Sequence, residues 1–436
     1  MSYSQEAQEA ILGAVLSGQI DSADVPLEAI HFHGRQHQTL WETCRKMSDR
    51  GMVADMISVV DHLPEDSPLL EDQGVDYITS LAEDAKGVTP GVLETYSKLV
   101  RDHWARRHLQ SGMMDAIDAV QTDDIDSVVA QLDSLTQEID EADSEYAAPE
   151  KQVLNDLVDR IDQRHQSGVK MNGLTTGLID LDENTDGLQN SDLVILAARP
   201  SQGKTAFALG MIRAAMHHTP VAFFSLEMPT SKILDRMVTA EAKINFKAVK
   251  RGMMEQRDFD SFAVAVQNFH NAKFRIDDRS YLTPAMMRSA CKRYKKEMGG
   301  LGLIVVDYLQ LMAPGKKMEN ETLSIGYISS QLKRLAKDFD CPVVALSQLN
   351  RGVEARPNKR PRNSDLRQSG SIEQDADLIM FLYRDEVYDK NTSNPGICEV
   401  IIGKAREGEI GTVYTAWQGH FQRFDNLAPG SVNDGE

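Results

Sequence analysis

The sequence has 436 residues, which is too long for one ordinary hydrophobic core and indicates two or three domains. No apolar stretch approaches the roughly 20 residues of a membrane-spanning helix, and the N-terminus, with Glu6 and Glu9 and no basic start, is unlike a signal peptide. The net charge of −19 is uneven, because residues 1–150 carry 9 Lys+Arg and 30 Asp+Glu (−21) whereas residues 151–436 carry the remaining 38 and 36 (+2), so a polyanionic partner is possible for the rear of the chain.

The front of the chain is predicted to be helical. Residues 5–16 place four aliphatic side chains on one helical stripe, and short helical patterns continue to about residue 85. Two longer helices over 91–112 and 126–141 suggest a helical hairpin. Between residues 115 and 145 there are eleven acids and no base, a pattern that fits either a solvated helix face or a disordered acidic tail.

A Pro-containing break at 147–149 is followed by a short apolar stripe over 153–161. So short a helix needs a surface to pack on, which either its own domain or a neighbouring subunit supplies. The predicted organisation is therefore an all-helical N-terminal domain over 1–145, a linker with an amphipathic helix over 146–170, and a C-terminal domain over 171–436.

From Gly173 onward, β-branched runs alternate with helical patterns. Strands separated by helices indicate βαβ units, an α/β fold and a largely parallel sheet. The predicted strands are residues 193–197, 221–225, 303–307, 343–346, 378–382 and 398–402.

Residues 193–205 form an apolar strand pattern that breaks into a turn ending in Gly203-Lys204-Thr205. This is a phosphate-binding loop in which Ala198 replaces the usual first glycine. Gly203 lets the backbone approach an anion, Lys204 supplies a positive charge, and Thr205 offers its hydroxyl to Mg²⁺. A Gly-Lys-Thr tripeptide also arises by chance, but its position between a strand and an apolar helix predicts binding of ATP or another nucleoside triphosphate.

Two carboxylates follow neighbouring strand patterns. Asp307 ends the run 303–307 in the Walker B arrangement, in which a carboxylate orients the Mg²⁺ shell. Glu227 comes just after the run 221–225 and is placed to accept a proton from, or position, the water that attacks a γ-phosphate. An exposed turn carboxylate is the alternative for Glu227.

Polar and basic residues follow the later strands. Gln348 ends a strand and suits sensing of a γ-phosphate, although ordinary strand ends look the same. Residues 351–367 hold six Lys or Arg and two acids, which fits either phosphate-backbone contact, with Gly370 leaving room for a backbone N–H, or a solvated charge run. Lys404 and Arg406 share one strand face and are candidates for cations that reach a neighbouring subunit's nucleotide.

Taken together, the motifs resemble the DnaB family of hexameric replicative DNA helicases through nearly the whole chain. Alanine in place of the first glycine of the loop, as at Ala198, is itself typical of that family. The resemblance rests on EAQEAILG at 6–13, GLIDLD at 177–182, GLQ at 187–189, AARPSQGKT at 197–205, FSLEM at 224–228, VDYLQL at 306–311, LSQLNR at 346–351 and DLRQSGSIEQDAD at 365–377.

The resemblance implies a RecA-like ATPase motor domain in a homohexameric ring, with ATP between subunits and single-stranded DNA in the channel. It implies that Glu227 is the catalytic base and that Gln348 couples the γ-phosphate to the DNA loop. The implied nucleotide and Mg²⁺ residues are Ser201, Gly203, Lys204, Thr205, Ala206, Arg236 and Asp307, with Lys404 and Arg406 supplied in trans. The implied DNA-gripping residues are Arg367, Gln368 and Gly370; position 368 is often Glu in the family.

The predicted function is that of an ATP-dependent replicative DNA helicase with primosome function, moving 5′→3′ by the resemblance and binding primase and a loader through its N-terminal collar. One alternative is a RecA- or KaiC-like ATPase that assembles on DNA or protein without unwinding it, and another is a nucleotide-dependent loading module. Four widely spaced cysteines match no metal or redox spacing, which favours a reducing cytoplasm.

Overall fold

The computed structural model describes residues 3–85, 88–122, 171–315, 317–366 and 369–428, with single positions between 128 and 139. Two compact units, Met1–Asp159 and Arg160–Glu436, make up the chain. The predicted linker helix over 153–161 and the predicted DNA-binding residues Arg367 and Gln368 lie outside the described residues.

The N-terminal unit is helical, as the sequence predicts. Its helices are α1 (Tyr3–Leu16), α2 (Arg35–Ser48), α3 (Met56–His62), α4 (Asp72–Asp84) and α5 (Pro90–Ala119). The aliphatic stripe of α1 is buried, with Ile11 and Leu12 fully covered. Trp41 on α2 is also fully buried, and its indole N–H donates to the Leu27 carbonyl at 3.0 Å, so this large ring leaves no unpaired donor in the core.

Helix α5 runs seven residues past the predicted end at 112. The described positions of the following segment are helical, and two of them contact α5: the His108 ring is 2.8 Å from a Glu138 carboxylate oxygen, and Leu135 packs on Gly112. A methyl group on Gly112 would come within 2.6 Å of the Leu135 side chain, so this glycine permits the close approach.

One nine-stranded sheet forms the centre of the C-terminal unit. In sheet order its strands are β3-β2-β4-β5-β1-β6-β7-β8-β9, and the pairs from β3 to β6 are parallel whereas β6 to β9 are antiparallel. The strands are β1 (Leu193–Ala198), β2 (Val221–Ser225), β3 (Phe274–Asp277), β4 (Leu303–Asp307), β5 (Val343–Gln348), β6 (Leu378–Tyr383), β7 (Ile397–Ala405), β8 (Gly411–Gln418) and β9 (Arg423–Asn426). All six predicted strands are confirmed; β3, β8 and β9 are additional.

Helices cover both faces of this sheet. They are α6 (Ile179–Thr185), α7 (Lys204–Ala215), α8 (Thr230–Ala242), α9 (Phe246–Arg251), α10 (Gln256–Asn271), α11 (Pro284–Met298), α12 (Glu321–Phe339) and α13 (Ser369–Asp375). Because successive strand side chains alternate between faces, Leu196 of β1 packs with α7 and α8 whereas Ile195 packs with α11 and α12. The result is the three-layer, RecA-like α/β architecture expected from the sequence. Within the described part of the chain, no helix is both long and apolar enough to span a membrane.

Candidate functional site

The phosphate-binding loop connects the end of β1 to the start of α7, at the carboxyl edge of the parallel strands. Gly203 caps α7 with φ +100°, and a methyl group there would lie 2.8 Å from the Phe424 ring, so both conformation and space require glycine. Ser201 also takes a positive φ of +71°. Ala198 is the last residue of β1 and pairs with strands on both sides, in regular extended backbone that needs no glycine.

Three predicted residues meet beneath this loop. The Thr205 hydroxyl donates to Asp307 Oδ2 at 2.7 Å, and Lys204 Nζ lies 3.7 Å from Asp307 Oδ1. Asp307 is fully buried at the end of β4, and its Oδ1 accepts no hydrogen bond from the described residues. Burial lowers the pKa of Lys204, and the Asp307 and Glu227 carboxylates oppose that shift.

Glu227 and Arg236 face the same point from the neighbouring strand and helix. Ser225, the last residue of β2, pairs with Asp307, and the next backbone N–H donates to the Asp307 carbonyl at 2.8 Å, which brings the exposed Glu227 beside the loop. Burial lowers the pKa of Arg236 on α8, and the charges of Asp307 and Glu227 oppose it. Four charges, two of each sign, therefore converge at this strand edge.

Gln348 ends β5, beside the last residue of β1, on the same carboxyl edge of the sheet. Its backbone N–H donates to Gln310 Oε1 at 3.3 Å, and the Gln310 amide donates to the Ser347 hydroxyl at 2.8 Å. Gln310 therefore ties the end of β5 to the segment after β4. Sequence reasoning did not single out this residue, although it belongs to the VDYLQL run.

Two further contacts around the loop were not predicted. Lys204 Nζ lies 4.4 Å from the centre of the Tyr308 ring, within cation–π range. The Arg384 backbone N–H donates to Gln202 Oε1 at 2.6 Å, which anchors the loop to the end of β6. No local pattern marks these residues, because each contact joins segments far apart in the chain.

The basic segment after β5 is only partly available to a ligand. Arg356 pairs with Asp365 at 2.7 Å, and Arg360 makes a two-pronged contact with Glu399 at 2.6 and 2.7 Å. The first pair therefore closes the segment on itself, and the second holds it to β7 of the same chain. Gly370 lies in the first turn of α13, is exposed, and has open space around its Cα.

Lys404 and Arg406 do not join the phosphate-binding loop of their own chain. Lys404 pairs with Ile379, which pairs with Ile195 near the start of β1. The loop instead follows Ala198, so along the strand direction Lys404 lies about 10 Å and Arg406 about 16 Å from the start of the loop, toward the amino ends of the parallel strands. No lysine or arginine side chain spans either distance.

Comparison with known proteins accounts for both units. Residues 1–102 match the family described as DnaB-like helicase N terminal domain, and residues 173–426 match DnaB-like helicase C terminal domain. The replicative DNA helicase DnaB of Pasteurella multocida is 39% identical over 98% of this chain and 94% of its own, and that of Geobacillus stearothermophilus is 38% identical over 97% and 94%.

Solved structures agree with this assignment. A DnaB-like replicative helicase, described with its interactions with primase, covers 97% of this chain and 100% of its own with a TM-score of 0.71 and 31% identity. A second solved structure, described as an ATPase domain, covers 65% of this chain and 100% of its own with a TM-score of 0.61 and 36% identity. The chain belongs to the DnaB-like family of replicative DNA helicases, with a RecA-like nucleotide-binding domain.

Proposed function

We propose that the protein uses ATP hydrolysis to move along single-stranded DNA and unwind duplex DNA at the replication fork. The observation that carries the proposal is the convergence of Lys204, Thr205 and Asp307 under a helix-capping glycine loop, with the exposed Glu227 beside them. The alternatives of a non-unwinding ATPase or a loading module share this nucleotide site, so unwinding itself is the property to test.

The residues around the loop fit ATP with Mg²⁺. The Thr205 hydroxyl and the buried Asp307 Oδ1, which accepts no hydrogen bond from the described residues, are the oxygen donors that Mg²⁺ or its water shell prefers, and the metal would neutralise phosphate charge when bound. The backbone N–H groups at the start of α7 would hold the phosphates, together with the Lys204 ammonium. The proposed phosphate-binding residues are Ser201, Gly203, Lys204, Thr205 and Ala206.

Each remaining side chain at this edge has a proposed role. Glu227 orients the attacking water and accepts its proton. Arg236 contacts the nucleotide from α8. Gln348, held by Gln310 at the end of β5, senses the γ-phosphate and transmits its presence to the following DNA-binding segment.

The position of Lys404 and Arg406 supports an assembly of several subunits. Because both cations lie toward the amino ends of the parallel strands, away from their own loop, they complete the nucleotide site of an adjacent subunit in a homohexameric ring. Arg367, Gln368 and Gly370 contact the DNA backbone in the channel. We propose further that movement is 5′→3′ and that, in the cytoplasm, the N-terminal unit binds primase and a helicase loader.

Strand displacement on forked duplexes tests this function. Forks with only a 5′ or only a 3′ single-stranded tail are incubated with ATP, and native mass is measured with and without nucleotide. Unwinding of the 5′-tailed fork by a species of six subunits is expected. DNA-stimulated hydrolysis without displacement on either fork would favour the RecA- or KaiC-like alternative, and hydrolysis that DNA does not stimulate would favour the loading module.

A further inference from the structure

Lys404 and Arg406 both hold the last turn of helix α13. Lys404 Nζ donates to the carbonyl oxygens of Glu373 and Gln374, and the Arg406 guanidinium donates to the Gln374 carbonyl at 3.3 Å. Carbonyl groups in the last turn of a helix have no partner within the helix and carry partial negative charge, so they attract cations. The two cations therefore share one docking point inside their own subunit.

Asp377, two residues beyond α13, completes this docking point. Its Oδ1 lies 3.1 Å from Arg406 Nη1, and its backbone carbonyl accepts from the Arg406 backbone N–H at 2.9 Å. Its Oδ2 accepts from the Leu193 backbone N–H at 2.8 Å and from the Lys333 ammonium. Asp377 is only 3% exposed whereas the Arg406 side chain is 56% exposed, so a fixed carboxylate holds a guanidinium that still faces outward. We call Glu373, Gln374 and Asp377 together the bracket.

A bulge in β7 aligns the two cations with the bracket. The register shifts so that Gly403 is an extra residue between the pairs Ile379–Lys404 and Met380–Ile402. Asn363 fastens the bulge to α13, because its amide donates to both the Gly403 carbonyl and a Glu373 carboxylate oxygen at 3.0 Å.

We propose that the bracket positions Lys404 and Arg406 for the adjacent subunit's nucleotide and thereby links that nucleotide to the DNA-binding start of α13. Asp377 is the central positioning residue. The inference rests on the proposed function, in which the two cations act in trans and Gly370 contacts DNA. Because α13 has only seven residues, about 6 Å of rigid helix joins Gly370 in its first turn to the carbonyls in its last. DNA that pulls on the first turn therefore moves the cations.

The test must separate this role from simple support of β1, because Asp377 also bonds Leu193 on the strand that leads to the phosphate-binding loop. Asp377→Asn keeps the size of the side chain and removes its charge. We expect a DNA-stimulated kcat lowered about tenfold, with the KM for ATP within about twofold of the original protein. Melting temperature and native mass establish that the variant is folded and assembled.

Mixing subunits assigns the defect to one side of the interface. In rings made from equal amounts of Asp377→Asn and Lys204→Ala subunits, the intact bracket of a Lys204→Ala subunit serves the intact loop of its neighbour. Activity is therefore expected to exceed that of either parent, with about a quarter of the interfaces restored. If Asp377 instead supports its own loop, the mixture stays below the activity of Asp377→Asn alone, and the proposal is overturned.

Two further variants keep the result interpretable. Asp338→Asn alters a carboxylate on α12 that pairs with Arg288, and no described contact joins it to the bracket or to the two cations, so kcat is expected to stay within about twofold. Asn363→Ala loosens the bracket from a partly exposed position and serves if Asp377→Asn does not fold; it should show the same recovery in mixed rings.

If Arg406→Ala mixed with Lys204→Ala shows no recovery, the trans role itself fails. If that pair recovers and the bracket variants do not, only the bracket is wrong.

Discussion

Glu227 is the residue whose proposed role separates most cleanly from nucleotide binding. Its side chain is exposed beside Lys204, and no described hydrogen bond joins this side chain to another part of the fold. Glu227→Gln should bind ATP with nearly unchanged affinity and lose hydrolysis by about 10²–10⁴-fold, because an amide cannot accept the proton of the attacking water. Equilibrium nucleotide binding and steady-state turnover, measured on the same preparation, check both halves.

Glu183→Gln is the matched control for that substitution, since Glu183 is an exposed carboxylate on α6. Its turnover should equal that of the original protein. If Glu227→Gln loses ATP binding as well as hydrolysis, the side chain holds the loop or the nucleotide and is not the base.

Asp192 gives the C-terminal unit a dependence on pH. Burial, assisted by the negative charge of Asp377, raises the pKa of Asp192 to about 6 from 3.8. The folded state then binds more protons than the unfolded state between these values, so the free energy of unfolding falls as pH rises through that window and stays lowered above it. The difference between these pKa values corresponds to about 3 kcal/mol. Solvent screening of the partly exposed carboxylate reduces this cost of ionisation, so Asp192→Asn should be about 2 kcal/mol more stable at pH 8.

Urea denaturation of both proteins at pH 4 and pH 8 measures this difference. The gain in stability should be present at pH 8 and nearly absent at pH 4, where Asp192 is largely protonated in the folded state. A gain of equal size at both values would show that the amide packs better and that ionisation of Asp192 costs nothing.

At the scale of single residues, the sequence predicted the site residues that a local motif identifies. Lys204, Thr205 and Asp307 stand at fixed offsets from strand patterns, and the structure brings them into contact. Tyr308 and Gln310 escaped notice because their roles exist only after distant strand ends become neighbours. An aromatic ring or an amide at a strand end carries no signal of its partner.

The element scale is illustrated by the bulge in β7. A methyl group on Gly403 would lie 2.3 Å from Asn363 Oδ1 and 2.5 Å from the buried Phe381 ring, so the strand could not keep its register beside β6. Gly403→Ala should destabilise the protein by about 1–3 kcal/mol through this overpacking. Denaturant unfolding at fixed protein concentration provides the measurement.

Gly210→Ala supplies the comparison, because Gly210 lies inside α7 with open space where a methyl group would go. This exchange should leave stability unchanged or raise it by up to about 1 kcal/mol, as alanine favours a helix. If Gly403→Ala were as stable as the original protein, β7 would have room to relax and the bulge would not be fixed by packing.

Strand prediction succeeded for every strand that is buried on both faces and was mixed for the others, since the alternating strand β7 was predicted and β8 was not. The six predicted strands include the parallel centre of the sheet, whose continuous apolar runs are buried on both faces. The antiparallel strand β8 instead alternates, with Val413 and Thr415 buried between more exposed neighbours. Its signal has period two, which a search for continuous apolar runs does not detect.

At the scale of the whole molecule, charge favours the C-terminal half as the proposed DNA-binding half, but the number of basic residues overstates how many are available to DNA. The excess of acids belongs to residues 1–150, and the remainder is nearly balanced at +2. Within that remainder, Arg356 and Arg360 are bound to carboxylates of their own subunit. Sequence counts cannot separate cations that hold the fold from cations left for a polyanion, because ion pairing is decided by tertiary contacts.

The arrangement of the sheet makes a quantitative prediction for the assembly. Lys204 lies at the carboxyl edge of the parallel strands and Arg406 at the opposite edge, and in the proposed assembly each site combines a loop from one subunit with cations from the next. Arg406→Ala and Lys204→Ala should each be inactive. In rings assembled from equal amounts of both, about a quarter of the interfaces combine an intact loop with intact cations. The rate of ATP hydrolysis should therefore recover to about a quarter of that of the original protein.

Two variants on the same side of the interface, Lys204→Ala and Thr205→Ala, provide the negative control for this recovery. Lys204→Ala mixed with Thr205→Ala leaves no subunit with an intact loop, so this mixture should stay inactive at every ratio. Recovery must also follow the product of the two subunit fractions and peak at equal amounts, since one interface requires one subunit of each kind. A recovery that rose linearly with either subunit would mean that single subunits are active by themselves. Absence of recovery at all ratios would mean that Arg406 acts within its own subunit. The distance along β1 between Arg406 and the phosphate-binding loop of the same chain argues against that outcome.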